Sequence, residues 1–134
     1  MTPAINLLKK TKTPHDVHEY QHEASHPSYG LEAAEKMRVP AQQVFKTLVA
    51  EVDKTRLVVA IVPVTHTLNL KQLAKAAGGK KAAMADAALV ERTTGYVLGG
   101  VSPLGQKKRL PTFLDNSASQ FDHIFVSAGR RGLE

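Results

Sequence analysis

Val44-Phe45-Lys46-Thr47-Leu48-Val49-Ala50-Glu51-Val52, the polar Asp53-Lys54-Thr55, and then Leu57-Val58-Val59-Ala60-Ile61-Val62-Pro63-Val64 form the stretch on which the fold turns. Two apolar runs rich in β-branched residues flank a short polar turn, and the second run is the more hydrophobic. That pattern predicts a central β-hairpin. In the first run, alternation puts Lys46 on the face of Val44, Leu48 and Ala50. A lysine on an apolar face is costly unless it is paired or its charge is used. Two readings of Lys46 stand. It snorkels to water from an edge strand, or its charge is used, either to orient a carbonyl or phosphate or, with a lowered pKa, as a base.

The elements on either side read clearly. Thr2-Pro3 caps a first helix whose apolar stripe is Ala4, Ile5, Leu7 and Leu8, with Lys9, Lys10 and Lys12 at its C-terminal end and Pro14 closing it. Val17 to His22 alternates and predicts a strand with His18, Tyr20 and His22 on one face, good pocket lining. A second helix is predicted within Ser28 to Val39. A third, capped by Asn69, covers Leu70 to Ala77 and stops at Gly78-Gly79. A fourth, Ala87 to Arg92, is capped by Asp86. Short strands are expected around Thr112 to Leu114 and at His123 to Ser127. Strands and helices alternate without a strict βαβ rhythm, so residues 1–134 read as one mixed α/β domain.

Composition bounds the function. Apolar residues make up 43% of the 134 and charged residues 22%, an ordinary globular balance. No apolar run approaches the roughly 20 residues of a membrane span. Met1-Thr2-Pro3 begins no signal peptide. The absence of cysteine removes disulfides, thiol nucleophiles and cysteine-ligated zinc, and a cytoplasmic location is expected. Formal charge is 18 − 12 = +6, clustered at Lys9-Lys10, Lys80-Lys81, Lys107-Lys108-Arg109 and Arg130-Arg131. Such a surface attracts polyanions, RNA among them. With four Phe, three Tyr and no Trp, there is little material for a base-stacking platform.

Thr93 to Gly105 holds four glycines and a proline. It reads as a connection between strands, or as a loop whose free amides line a concavity. In the second reading the amides of Gly99, Gly100, Val101 and Ser102 form a polarising wall for a carbonyl, and Pro103 shapes the loop. Ser102 as a nucleophile, with Asp86 or Asp115 behind a histidine, is disfavoured because the G-x-S-x-G elbow is missing. His18, His22 and His26 would align on a helix, but Pro27 and the strand-like alternation argue against one, so no metal is expected. Lys107, Lys108, Arg109, Arg130 and Arg131 are either solvated surface charge or contacts to nucleic-acid phosphates.

These segments resemble the YbaK/EbsC family of Cys-tRNA(Pro) deacylases, relatives of the editing domain inserted in many bacterial prolyl-tRNA synthetases. The resemblance is carried by Met1-Thr2-Pro3-Ala4, His18-Glu19-Tyr20-Gln21-His22, Val44 to Leu48, Pro63-Val64, Lys71 to Lys81, Met84-Ala85-Asp86, Thr94-Gly95-Tyr96, Gly99 to Pro111 and Gly129 to Glu134. It implies a barrel-like mixed sheet flanked by helices, with Lys46 as the required residue. Lys46 and Tyr20 would orient the terminal adenosine, while Gly100 and its neighbours polarise the ester carbonyl. It further implies the acceptor end of tRNA(Pro) carrying cysteine as substrate, prolyl-tRNA synthetase as a partner, and no cofactor. The substrate's own thiol would attack the ester and leave as a thiolactone, a lyase-like route. Other readings are a deacylase for Ala- or Ser-tRNA and a non-catalytic tRNA-binding module. Family members usually continue for a further strand and helix. They also commonly carry aspartate where this chain has Glu134, which leaves the role of that position open.

Overall fold

In the computed structural model, which describes residues 1–26 and 28–134, the hairpin forms as its pattern requires. Strands β1 (Phe45–Val52) and β2 (Arg56–Pro63) pair antiparallel, with Lys46 opposite Val62, Leu48 opposite Ala60 and Ala50 opposite Val58. Asp53 and Lys54 both take positive φ, the turn geometry that matches the twist of a hairpin. The Asp53 carboxylate then accepts the amides of Lys80 and Lys81 at 3.0 and 2.9 Å, fastening the following segment to the turn.

Helices α1 (Pro3–Lys10), α2 (Tyr29–Met37), α3 (Leu70–Ala76) and α4 (Ala87–Thr94) are capped by Thr2, Ser28, Asn69 and Asp86, each accepting an amide of the first turn. With β3 (Ala82–Met84) and β4 (Thr112–Leu114) the sheet runs β3-β1-β2-β4, antiparallel except for the parallel β2–β4 pair. It is an open mixed sheet flanked by helices rather than a closed barrel.

Register decides what each face buries. Ala50, Val52, Val58 and Ala60 point to one face, where Leu73 and Ala74 of α3 cover them. At the far end of that face Ala33 and Ala34 of α2 pack on Val44, with Val64 beside it. Phe45, Val49, Val59 and Ile61 point to the other face, against Val90 of α4, Tyr96 and Val101. Val52, Val58 and Val59 are completely buried, each worth roughly 1.5–3 kcal/mol in transfer terms.

Two expectations need correction, and one strand went unforeseen. Val17 to His22 is extended but makes a single bridge, Glu19 to Leu133, so it is no strand of the sheet. His123 to Ser127 likewise contributes one parallel bridge, Phe125 to Val44. The first segment pairs with residues 132–134 and the second runs beside the start of β1. Strand β3 had no expectation at all, because Ala82-Ala83-Met84 is too short and too alanine-rich to show a period. Pro27 lies outside the described residues, among which no helix is long and apolar enough to cross a membrane.

Candidate functional site

The open edge of β1 creates the site. Strand β3 pairs with β1 only at Ala50–Val52, and Phe125 covers its start, where Phe45 N–H donates to Phe125 O at 2.8 Å. Between them Lys46, Thr47 and Leu48 border a cleft of about 290 Å³, walled by Tyr20, Tyr29, Leu98, Gly99, Val101, Ser127 and Glu134.

Each wall is held by a specific contact. The Tyr20 amide donates to Gly132 O at 2.9 Å. His18 and Glu134 exchange backbone bonds at 2.8 and 2.9 Å, which brings the extended segment and residue 134 to the cleft together. Helix α2 approaches through Gly30, where a Cβ would lie 2.2 Å from Val64 Cγ1. Gly99 has φ +89°, and a Cβ on Gly100 would lie 2.8 Å from Arg130 Cα, so the 129–132 segment crosses directly over the glycine loop.

Electrostatically the cleft is unsatisfied. Burial lowers the pKa of the half-buried Lys46 ammonium, which has no carboxylate within ion-pair distance among the described residues. Burial pushes the Glu134 carboxyl up to about 7. Burial, and then the Glu134 charge, raise the Tyr20 phenol. Thr47 Oγ1 and Glu134 Oε2 are buried without a hydrogen-bond partner among the described residues, and both residues line this cleft. Such orphans are rare in folded proteins, and both belong to residues that line one cavity.

Comparison with known proteins fits this geometry. The family described as "Aminoacyl-tRNA editing domain" matches residues 27–133. The chain belongs to that family. It is 41% identical over 133 residues to the Enterococcus faecalis (strain ATCC 700802 / V583) protein named "Putative Cys-tRNA(Pro)/Cys-tRNA(Cys) deacylase EbsC", covering 99% of this chain and 80% of the relative. Among solved structures, "a putative trans-editing enzyme for prolyl tRNA synthetase" superposes with TM-score 0.84 at 25% identity, over 98% of this chain and 81% of the other. The fold also matches "hypothetical protein APE2540" with TM-score 0.85 at 21% identity, over 98% and 85% of the two chains.

In this editing domain the structure brings Lys46, Tyr20, Gly99 and Val101 into one cleft. Gly100 lies behind the wall with its N–H bonded to Val97 O at 3.0 Å, whereas the amides of Gly99 and Val101 have no acceptor among the described residues. Ser102 is fully buried, its Oγ accepting Leu104 N–H at 3.2 Å, and Pro103 is half-buried outside the lining. Asp86 and Asp115 are both engaged as caps, of α4 and of the 3-10 turn Asn116–Gln120.

The predicted basic residues separate. Lys107, Lys108 and Arg109 are exposed, the first two tied by their amides to Thr94 O and Thr93 O at the end of α4, and none lines the cleft. Arg130 is exposed 4.0 Å from Glu19, and Arg131 rests on Tyr29. The histidines also diverge. His22 Nδ1 meets Glu32 at 2.7 Å, His26 Nε2 meets Glu35 at 3.1 Å, and His18 packs edge-on against Phe125. Tyr29 and Thr47 escaped sequence reasoning. Thr47 carried no signal beyond its place next to Lys46, and Tyr29 none beyond following a cap.

Proposed function

We propose that this protein is a trans-editing deacylase that removes cysteine from mischarged tRNA(Pro). The observation carrying this reading is one cleft lined by Lys46, Thr47 and Glu134, whose ammonium, Oγ1 and Oε2 have no partner among the described residues, beside the amides of Gly99 and Val101, which have no acceptor among them either. An aminoacyl ester on a terminal ribose offers what that set lacks: a carbonyl, hydroxyls and a nearby phosphate. The relative named as a Cys-tRNA(Pro)/Cys-tRNA(Cys) deacylase supports cysteine as the amino acid removed, with tRNA(Pro) one of the two tRNAs in its name.

Cysteine is small enough to enter a proline pocket. Discrimination by a few atoms is worth only about 1–3 kcal/mol, which is why a second, editing site is useful. The chain has no cysteine, and the serines lining the cleft, Ser28 and Ser127, each accept a backbone amide at Oγ, with neither hydroxyl bonded to a histidine among the described residues. The reaction that fits is attack by the substrate's own thiol. The sulfur–carbon bond forms, the ester bond to the tRNA ribose oxygen breaks, and the thiol proton ends on that departing oxygen. Gly99 and Val101 amides stabilise the oxyanion, in place of Gly100, whose N–H is already bonded. Lys46 holds the terminal nucleotide against Tyr20. Glu134, with its carboxyl near 7, is the group in the cleft suited to carry the proton. Ser102 and Pro103 set the loop's shape. The exposed Lys107, Lys108, Arg109, Arg130 and Arg131 contact tRNA phosphates, which position the molecule without identifying it. Identity then comes from a partner, prolyl-tRNA synthetase in the cytoplasm.

Deacylation of Cys-tRNA(Pro) and Ser-tRNA(Pro), side by side, tests the reading. Loss of cysteine with serine retained is the expected outcome. Survival of both esters sinks it, and loss of both replaces thiol assistance with attack by water.

A further inference from the structure

A second, larger cleft of about 490 Å³ opens on the same face of the sheet, between α3, the end of β2 and the segment after β4. Its floor includes Ala60 and Val62, the cross-strand partners of Leu48 and Lys46, which border the first cleft. Directly opposed residues on one face lie about 4.5–5.5 Å apart at Cβ. Helix α2 covers this face at Val44 and Val64, and α3 covers it at Ala50 and Val58. The Lys46–Val62 pair lies between them, with Lys46 bordering the first cleft and Val62 the second, so the two clefts adjoin across this pair and are taken as halves of one groove.

We infer that the second half binds the nucleotide preceding the aminoacylated adenosine, a cytidine. This inference rests on the first half being the aminoacyl site. Among the described residues no lysine or arginine lines the second half and His66 is its one basic side chain, so its chemistry suits a base better than a phosphate. Gln72 and Asn116 side-chain amides are exposed there with no hydrogen-bond partner among the described residues. Asp115 spends Oδ2 on the Ser117 amide and hydroxyl, leaving Oδ1 for a donor. Phe113 and Leu68 supply the apolar wall. Amides, one carboxylate oxygen and an aromatic wall match a cytosine: its amino group donates to carboxylate or amide oxygen, and its ring acceptors take an amide N–H. The phosphodiester joining the two nucleosides then falls at the junction, beside Lys46. Because every tRNA ends in CCA, this subsite adds affinity and register without selecting among tRNAs.

Binding of unacylated CpA and of pA to the whole protein tests this, with pA matching the phosphate but lacking the cytidine. CpA should bind about tenfold more tightly, and the double substitution Gln72→Ala, Asn116→Ala should remove that advantage while leaving pA binding unchanged. Equal binding of CpA and pA to the unaltered protein overturns the inference, as does a variant that weakens both alike. Neither ligand carries an ester, so the editing reaction stands or falls separately. Failure to deacylate Cys-tRNA(Pro), with CpA still preferred, rejects the reaction and keeps the subsite. Deacylation with no CpA preference does the reverse.

Discussion

The guanidinium of Arg131 lies on the ring of Tyr29, its Cζ 3.6 Å from the centroid, and also donates to the Tyr29 hydroxyl. The stack joins the 129–132 segment to the start of α2 at the rim of the first cleft, and Gly99 is its seat. A Cβ on Gly99 would lie 2.6 Å from Arg131 Nε and 2.7 Å from Tyr29 Cε2, at a φ of +89° that disfavours side chains. Gly78 has a similar φ of +75° with nothing within 4 Å of its would-be Cβ. Gly78→Ala should therefore cost about 1 kcal/mol of backbone strain alone. Gly99→Ala should cost more, about 2–3 kcal/mol, and raise KM for the aminoacyl-tRNA by disturbing the rim. Thermal melts of the two variants check this, and equal losses would remove the stack from the account.

Lys46 separates stability from activity. Its burial works against its charge and no carboxylate among the described residues pairs with it, so Lys46→Met keeps the stem and relieves a desolvation cost. The variant should melt at or above the temperature of the unaltered protein, while kcat/KM on Cys-tRNA(Pro) falls at least about 100-fold. A variant that retains turnover, or one that unfolds, contradicts the role assigned to Lys46.

Much of this was legible in the sequence, for physical reasons that particular residues illustrate. The hairpin was readable because β1 and β2 carry their period without interruption, and the caps Thr2, Ser28, Asn69 and Asp86 were readable because capping is local. Lys46 stood out because a charge on an apolar face is anomalous wherever the strand sits. Tyr20 was placed on the right face but in the wrong kind of element, since its extended segment pairs with residues more than a hundred positions away. Nothing local shows that pairing. The orphan atoms of Thr47 and Glu134 and the stacking of Tyr29 on Arg131 are tertiary facts of the same kind. Gly100 shows the converse: the loop was recognisable as a glycine wall, but which amides remain unbonded depends on a turn to Val97 O that composition does not specify.

Glu32 is a prediction about the frame of the site. It is completely buried, and its carboxylate takes His22 Nδ1 and the Glu23 amide, both at 2.7 Å. Burial raises its pKa, but the bonds from His22 and Glu23 outweigh that and hold it below the usual carboxylate range. Glu32→Ala leaves two donors without an acceptor and should cost about 1–3 kcal/mol. Because the folded carboxyl is the stronger acid, its contribution is present above the ordinary carboxylate pKa and is lost as pH falls through the lowered value. Acid titration of the melting temperature should show this loss in the unaltered protein and not in Glu32→Ala. Coincident acid curves would mean that Glu32 does not tie the 22–23 turn to α2.

Glu134 should have the opposite effect, in a different pH window. Its carboxyl is raised from an ordinary value of 4.5 to about 7 by burial, so between those limits the folded protein binds a proton that the unfolded chain has released. Stability therefore falls as pH rises from about 4.5 to about 7, and is flat in this group above and below. Glu134→Gln keeps the shape, removes the titration, and should abolish that part of the slope while matching the unaltered protein near pH 4.5. Melting temperatures of both proteins across the window measure the difference, with every other titrating group common to the two. Ligand that brings a hydrogen-bond donor to Glu134 Oε2 should flatten the slope in the unaltered protein too, because it stabilises the ionised carboxylate. A slope shared by the unaltered protein and Glu134→Gln would place the Glu134 carboxyl in water, outside the cleft chemistry proposed for it.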